Sequence, residues 1–181
     1  MRRRYLWTLV VLSLASAARA QTDPPPDEPE CFIDAAKVVA APKFTDFPAR
    51  AVALKPAPPL MNDRLARQFR TELRRQVVHG PNSAGKYTVA IWGCGSSCFQ
   101  FAIVDARTGQ VFGDKFPYVS TVHSKGLNNL AFKLTSNLIV LTGAPDEDER
   151  REGVHYAVWT GRNLRFIRFV PRSRVCSPDM L

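Results

Sequence analysis

The feature that most constrains the fold of this 181-residue chain is its set of four cysteines: Cys31, Cys94, Cys98 and Cys176. Disulfides persist in oxidising compartments and are rare in the cytosol, so the meaning of these cysteines depends on where the chain goes. The N-terminus indicates export, because three arginines at positions 2–4 precede an apolar run over residues 6–15 and the small-x-small sequence Ala18-Arg19-Ala20. We expect a signal peptide over residues 1–20, cleavage after Ala20, and a periplasmic or secreted protein.

Two alternatives to a cleaved signal are an N-terminal membrane anchor and a lipid anchor. A membrane-spanning helix needs about 20 apolar residues, and the run over residues 6–15 is shorter and ends in small residues. No cysteine follows Ala20 directly, so a lipid-anchored lipoprotein is not expected. No later segment is long and apolar enough to cross a bilayer, so we expect no transmembrane segment after cleavage.

The net charge of the chain restricts the classes of partner that we expect. Removing residues 1–20 takes away four arginines, which lowers the basic residues from 25 to 21 against 16 acidic ones and the formal net charge from +9 to +5. A moderate positive charge suits contact with anionic lipid, lipopolysaccharide or cell-wall polymers, and it also keeps a protein soluble. Nucleic acid is not an expected partner of an exported chain that lacks a nucleic-acid-binding motif.

An even number of cysteines in an exported chain favours disulfides over free thiols. Four cysteines allow three pairings, of which we predict Cys94–Cys98 and Cys31–Cys176. The loop-entropy relation assigns about 2 kcal/mol to the short loop and about 5 kcal/mol to a bond that closes nearly the whole mature chain. In the predicted hairpin, Cys94 faces Cys98 across a three-residue loop over residues 95–97, with a bulge at Gly93.

Proline divides the mature chain into an extended part and a folded part. Residues 21–61 hold nine of the fourteen prolines, and residues 21–30 read QTDPPPDEPE, which predicts a solvated lead-in. Apolar residues return over residues 31–61, where we expect an extended arm that lies over the domain and contains one short edge strand. The predicted boundaries that follow are a single domain over residues 62–176 and a tail over residues 177–181.

Residues 63–78 form the one predicted helix. An apolar residue recurs every four positions and places a stripe against a core: Leu65, Phe69, Leu73 and Val77. Asn62 or Asp63 caps the start of the helix, and Gly80-Pro81 ends it. Arginines crowd the opposite side: Arg64, Arg67, Arg70, Arg74 and Arg75. They form either a solvated face or a surface that binds anions or a membrane, although the narrow stripe disfavours insertion into lipid.

After the helix the apolar pattern changes to a period of two. The pattern places Tyr87, Val89 and Ile91 on one face of a strand, and Phe99, Phe101 and Ile103 on one face of the next. Turn sequences at residues 105–109 and 160–163 predict further hairpins. Residues 113–126 predict a long loop, residues 137–141 a buried strand and residues 145–152 a charged loop. The expected fold class is α+β, with an antiparallel, hairpin-rich sheet packed against one amphipathic helix and stapled by disulfides.

One segment resembles a known group of proteins. Residues 80–112 contain N-x-A-G-x-Y from Asn82, W-G-C-G-x-x-C from Trp92 and D-x-x-T-G from Asp105. These elements resemble those of a family of uncharacterised exported bacterial proteins, and SNLIVLTG at residues 136–143 is similar to a second segment of that family. The resemblance covers residues 63–169 and implies export and a shared fold, but no reaction. Family members have Phe and His where this chain has Ser83 and Lys86, so no role of that histidine carries over.

The residues do not assemble a familiar catalytic, cofactor or metal motif. CGSSC has one residue too many for a thioredoxin-like C-x-x-C, and only 83 residues follow Cys98, too few for the distant histidine of a papain-like protease. The set Cys94, Cys98, His123 and His155 has irregular spacing for zinc, and residues 146–149 fail the calcium-loop pattern. A G-x-S-x-G elbow, paired strand carboxylates and Gly-rich phosphate loops are lacking too. We predict no catalytic residues, no cofactor and no metal.

Two classes of function stay open. The first is a binding or envelope-accessory module whose stapled hairpin presents Lys86 or Trp92, or whose helix presents Arg67, Arg70 and Arg74, to a protein or an anionic envelope polymer. The second is a hydrolase acting on envelope polymers with His123 or His155 as the base, or an inhibitor or immunity protein of such an enzyme. We favour the first class, because the sequence contains no recognisable catalytic set.

Overall fold

The computed structural model describes residues 31–124 and 129–178. The strands in this part of the chain are β1 (Cys31–Ile33), β2 (Tyr87–Gly95), β3 (Cys98–Asp105), β4 (Val111–Phe112), β5 (Val119–Ser120), β6 (Leu130–Phe132), β7 (Leu138–Pro145), β8 (Gly153–Trp159), β9 (Leu164–Pro171) and β10 (Cys176–Pro178). The α-helices are α1 (Arg64–Gln68), α2 (Arg70–Val77) and α3 (Arg172–Val175), and 3₁₀ helices span Ala35–Lys37, Phe44–Asp46 and Glu149–Arg151. The predicted signal peptide, the lead-in, residues 125–126 of the predicted long loop and residues 179–181 of the tail lie outside the described residues.

The main sheet is antiparallel and has eight strands. Its order is β2-β3-β5-β7-β8-β9, with β4 beside β3 and β6 beside β7. Hairpins join β2 to β3, β3 to β4 and β8 to β9 at the predicted turns. Strand β5 lies inside the predicted long loop and pairs with both β3 and β7, so it joins the two halves of the sheet. The predicted α+β, antiparallel and disulfide-stapled fold is confirmed.

Three apolar clusters cover both faces of the sheet. The first packs the two halves against each other and includes Tyr87, Val89, Phe101, Ile139, Leu141 and Trp159. The second packs β2 and β3 against the helices and includes Ala66, Leu73, Val77, Ala90, Trp92 and Val104. The third packs β7 and β8 against the N-terminal arm and includes Ile33, Val38, Leu138, Val154 and Tyr156. The prediction of one apolar face for β2 and β3 is therefore incomplete. Small residues such as Ala90 and Ala102 form part of the second face, and both are fully buried.

The predicted single helix is two helices, broken at Phe69. Residues spaced every four positions drift around an ideal helix by about 40° per step, because 3.6 residues make one turn. The break at Phe69, where φ is −104° and ψ is 25°, lets Leu73 and Val77 enter the same cluster as Ala66. The predicted cap is confirmed, since Asp63 Oδ1 accepts a hydrogen bond of 2.6 Å from the backbone N–H of Ala66.

The arm over residues 31–61 lies against the rest of the described chain. Its backbone N–H groups donate to carbonyls of distant residues, from Val52 to Gly85 at 2.9 Å and from Leu60 to Gly109 at 2.8 Å. Both glycines have positive φ, and a Cβ at either position would collide with a backbone carbonyl oxygen of the arm. Gly85 of the N-x-A-G-x-Y motif and Gly109 of the D-x-x-T-G motif therefore permit the arm to approach the sheet closely.

The two ends of the described chain meet. Strand β1 pairs antiparallel with β10, and the predicted disulfide Cys31–Cys176 joins them, with the Cα atoms 5.3 Å apart. Strand β10 extends to Pro178, two residues into the predicted tail. Arg172, in α3, donates from Nε to the carbonyl oxygen of Cys31 at 2.7 Å. This end of the molecule positions one of the candidate sites described next.

Candidate functional site

The stapled hairpin has a different register from the one predicted. The Cys94–Cys98 disulfide is confirmed, with the Cα atoms 5.3 Å apart. Gly93 pairs with Phe99 and Gly95 pairs with Cys98, so Cys94 occupies the bulge and does not lie opposite Cys98. The tip is consequently a two-residue turn, Ser96-Ser97. Ser97 has a φ of +53°, in the region that glycine favours, and its carbonyl oxygen accepts a hydrogen bond of 2.7 Å from the N–H of Thr121.

Trp92 does not belong to an exposed binding surface, contrary to the sequence-based prediction. The residue is 7% exposed, and its ring stacks on Phe69 with the centroids 4.5 Å apart. Its indole N–H donates to Gln100 Oε1 at 3.2 Å. The side chain points to the helix side of β2, because Ala90 and Ala102 leave room there for a large ring. Trp92 therefore fastens the helices to the sheet.

Lys86 lies beyond the opposite end of β2 from the stapled tip. Its Nζ forms a 2.5 Å ion pair with Asp105 Oδ2 and lies 5.0 Å from the centroid of the Tyr87 ring. Burial alone would raise the pKa of Asp105, but the hydrogen bonds from Lys86 and from the N–H of Arg107 hold it below its usual value. Lys86 thus makes internal contacts at a hairpin end, and the stapled tip does not present it to a partner.

Arg67, Arg70 and Arg74 are exposed on α1 and α2. Arg70 and Arg74 are four residues apart on α2, the spacing of neighbours on one side of a helix. Across the break at Phe69, Nη1 of Arg70 lies 3.4 Å from the carbonyl oxygen of Arg67. Among residues 31–124 and 129–178, none of these three arginines forms an ion pair, whereas the neighbouring Arg75 pairs with Glu72. We call Arg67, Arg70 and Arg74 the arginine face.

A second group of side chains gathers where the stapled tip meets the start of β8. Nδ1 of His123 lies 2.8 Å from Oε1 of Glu152, and Nη1 of Arg172 lies 3.1 Å from the other oxygen of that carboxylate. The Glu152 side chain is buried, at 9% exposure, whereas that of His123 is 30% exposed. His123 and Glu152 line a cleft of about 280 Å³ together with Ser96, Ser97 and Ser120. We call this the tip cleft.

His155, the other predicted base, occupies a different cleft. It is 4% exposed, its ring stacks on Phe169 with the centroids 4.6 Å apart, and its Nε2 lies 2.7 Å from the carbonyl oxygen of Arg151. Burial lowers the pKa of His155, which favours the neutral imidazole. A bulge in β9 places Phe166 and Phe169 on the same face, where both are more than 40% exposed and line a cleft of about 440 Å³ with His155.

Sequence reasoning missed Glu152, Arg172, Phe166 and Phe169. Glu152 ends the run PDEDERRE, where a buried carboxylate cannot be told from its solvated neighbours by composition. No group of three or more His, Cys, Asp or Glu able to hold a metal ion occurs in the described part of the chain. Among the same residues, no helix is long and apolar enough to cross a membrane.

Comparison of the chain with protein-family models, with curated proteins and with solved structures finds no match. The resemblance drawn from the W-G-C-G-x-x-C region therefore stays a prediction, and function has to be argued from the arginine face and the two clefts themselves.

Proposed function

We propose that the protein is an exported binding module that contacts an anionic envelope polymer through the arginine face. The observation that carries this proposal is three neighbouring, exposed guanidinium groups without a carboxylate partner among the described residues. An exposed cation that is not neutralised within its own chain is available to an anion from outside. The arginine guanidinium also matches phosphate and carboxylate groups with two parallel hydrogen bonds.

The prediction of export supports the choice of an envelope polymer as the partner. Two disulfides join all four cysteines, and disulfides of this kind persist outside the cytosol. The arginine-rich N-terminus and the site at Ala20 have the pattern of a cleaved signal peptide. We expect the protein recovered from the periplasm or the medium to begin at Gln21, which intact-mass measurement decides. A mass corresponding to all 181 residues would contradict cleavage after Ala20.

The binding test compares two triple variants of equal charge. R67Q/R70Q/R74Q removes the arginine face, and R162Q/R165Q/R174Q removes three exposed arginines from β9, its preceding turn and α3. A basic side chain near an anionic surface contributes about 1 kcal/mol, so the first triple should weaken binding by about 100-fold. The second triple should bind like the wild type. Lipopolysaccharide and dextran sulfate serve as polyanions, and uncharged dextran serves as the neutral control.

Salt dependence gives a second readout. Binding to dextran sulfate should weaken as ionic strength rises, because salt screens exposed charges. Equal losses of affinity in both triple variants would show that net charge alone drives binding, which would contradict a defined arginine face. Equal affinity of the wild type for dextran sulfate and dextran would contradict the proposal as a whole.

A further inference from the structure

We propose that His123 and Glu152 form a general-base pair in the tip cleft, which activates water to hydrolyse a neutral, hydroxylated ester. This activity goes beyond the proposed binding function and uses residues that the arginine face does not include. It is carried by the juxtaposition of a partly exposed imidazole, a buried carboxylate bonded to it, and a cleft lined in part by three serines.

The hydrogen bond between the two side chains assigns the tautomer of the imidazole. An ionised carboxylate only accepts hydrogen bonds, so Nδ1 of His123 carries the proton that it donates to Glu152 across 2.8 Å. In the neutral imidazole, Nε2 is then the bare nitrogen that accepts protons. Within the described part of the chain no hydrogen-bond partner occurs for Nε2, and the ring lines the tip cleft. This arrangement gives His123 the position of the base in a carboxylate–histidine pair.

The carboxylate is itself held from several directions. Arg172 donates from Nη1 to Glu152 Oε2 at 3.1 Å and from its backbone N–H to the carbonyl oxygen of Glu152 at 2.9 Å. Arg172 is anchored in turn by the carbonyl oxygen of Cys31, next to the terminal disulfide. The carbonyl oxygen of His123 accepts a hydrogen bond of 2.7 Å from the N–H of Ile33. Both members of the pair are therefore fixed on the disulfide-linked end of the fold. Such rigid support is what a catalytic base requires.

The lining of the tip cleft selects the class of substrate. Beside the general-base pair, its lining consists of hydroxyl-bearing, acidic and small apolar residues: Ser96, Ser97, Ser120, Glu147, Glu149, Cys98, Val122 and Ala144. Carboxylates repel an anion and accept hydrogen bonds from hydroxyl groups, so the cleft favours an uncharged, hydroxyl-bearing molecule. A volume of about 280 Å³ admits a small acyl group with part of a sugar. The expected substrate is thus an O-acylated sugar or a similar polyol ester.

The proposed step is an ordinary ester hydrolysis. Nε2 of His123 takes a proton from water as the water oxygen forms a bond to the acyl carbon. The carbon–oxygen bond to the alcohol then breaks, and the leaving oxygen takes the proton from His123. One ester and one water become one carboxylic acid and one alcohol, and the imidazole returns to its starting state. Glu152 is a positioning residue in this scheme, because it acts on the reacting atoms only through His123.

The test uses the oxidised protein with two probes: p-nitrophenyl acetate, and 6-O-acetylglucose, which keeps free hydroxyl groups on the sugar. Exposed histidines can hydrolyse activated esters without a site, so His79→Gln is the matched control, since His79 is exposed in the turn that follows α2. General-base catalysis contributes at least about 100-fold, so His123→Gln should lower kcat/KM by that factor on both probes. His79→Gln should leave kcat/KM unchanged. Acetate release no faster than in buffer would overturn the proposal.

Two further measurements separate a catalytic role from a structural one. Glu152→Gln should lower kcat, while Asp114→Asn, which removes an exposed carboxylate outside the tip cleft, should not. If His123→Gln fails to fold, diethyl pyrocarbonate treatment of the His79→Gln protein replaces it, because His123 is then the one exposed imidazole beside the buried His155. Loss of activity in step with acylation of one imidazole supports the proposal. Full activity after that acylation overturns it.

Discussion

Removing the Cys31–Cys176 disulfide should destabilise the protein far more than removing Cys94–Cys98. The two bonds close loops of very different size, because their cysteines are 145 and 4 positions apart. Loop-closure entropy assigns about 5 kcal/mol to the long loop and about 2 kcal/mol to the short one. The difference of about 3 kcal/mol arises in the unfolded chain, which the terminal bond keeps compact. The folded state adds to it, since β1 and β10 lie at this bond and, among the strands of residues 31–124 and 129–178, each pairs with the other alone.

The comparison uses C31A/C176A and C94A/C98A in urea denaturation without added reductant, so that each variant keeps its other disulfide. C31A/C176A should lose about 5 kcal/mol of unfolding free energy and C94A/C98A about 2 kcal/mol. The denaturant slope should rise in C31A/C176A, because the open chain exposes more surface when it unfolds. A loss in C31A/C176A no larger than that in C94A/C98A would refute the loop-entropy argument. An unchanged slope would show that the terminal bond does not restrict the unfolded state.

Trp92→Ala should lower the unfolding free energy by about 4 kcal/mol, because it leaves a cavity beside Phe69. It should leave the affinity for lipopolysaccharide unchanged. Urea denaturation measures the first effect and lipopolysaccharide titration the second. Gly109→Ala should lower the melting temperature more than Gly80→Ala: both glycines have positive φ, but only at position 109 would a Cβ collide with the arm. Burial lowers the pKa of His155 in the folded state below the value of 6.5 in the unfolded chain. The stability that depends on the neutral imidazole is therefore fully present above pH 6.5 and is lost as the pH falls toward the folded-state pKa. The unfolding free energy should therefore fall between pH 7.5 and pH 5, and fall less in His155→Gln, as urea titrations at both pH values would show.

Patterns that repeat along the chain predicted the architecture. The period-two runs before and after CGSSC correctly indicate the β2–β3 hairpin, and the Thr-Gly turn at residues 160–161 correctly indicates β8–β9. Asp63 is the cap that its position suggests. These features are local, since each depends on residues that are close in the sequence and on their backbone preferences.

The errors arise where distant segments decide the outcome. Trp92 reads as a hairpin rim residue, but the packing of α1 and α2 on β2 buries it. The break at Phe69 allows the apolar side chains of both helices to pack on the same face of the sheet. The periodicity of the helix sequence alone does not predict this break, because it carries no information about the sheet. Glu152 becomes part of a site only because residues 20 and 29 positions away in the chain reach its carboxylate. No periodicity in a single sequence reports contacts of that kind.

The motif residues beside the stapled hairpin support the fold, and this separates them from the proposed sites. Asn82 exchanges two hydrogen bonds with the backbone of Val89, and Asp105 accepts from the N–H of Arg107 while it pairs with Lys86. Lys86→Met should therefore cost about 2 kcal/mol of stability, because Asp105 loses a charged hydrogen-bond donor at a partly buried position. The ion pair lowers the pKa of Asp105 in the folded protein, so it contributes this stability above the unfolded pKa of about 3.8. The contribution, and with it the cost of Lys86→Met, should vanish as acid protonates the carboxylate. Urea denaturation at pH 7 and pH 3, with lipopolysaccharide titration at pH 7, tests this. If Lys86→Met leaves the stability unchanged but weakens binding to lipopolysaccharide, Lys86 belongs to the binding surface and its structural role is contradicted.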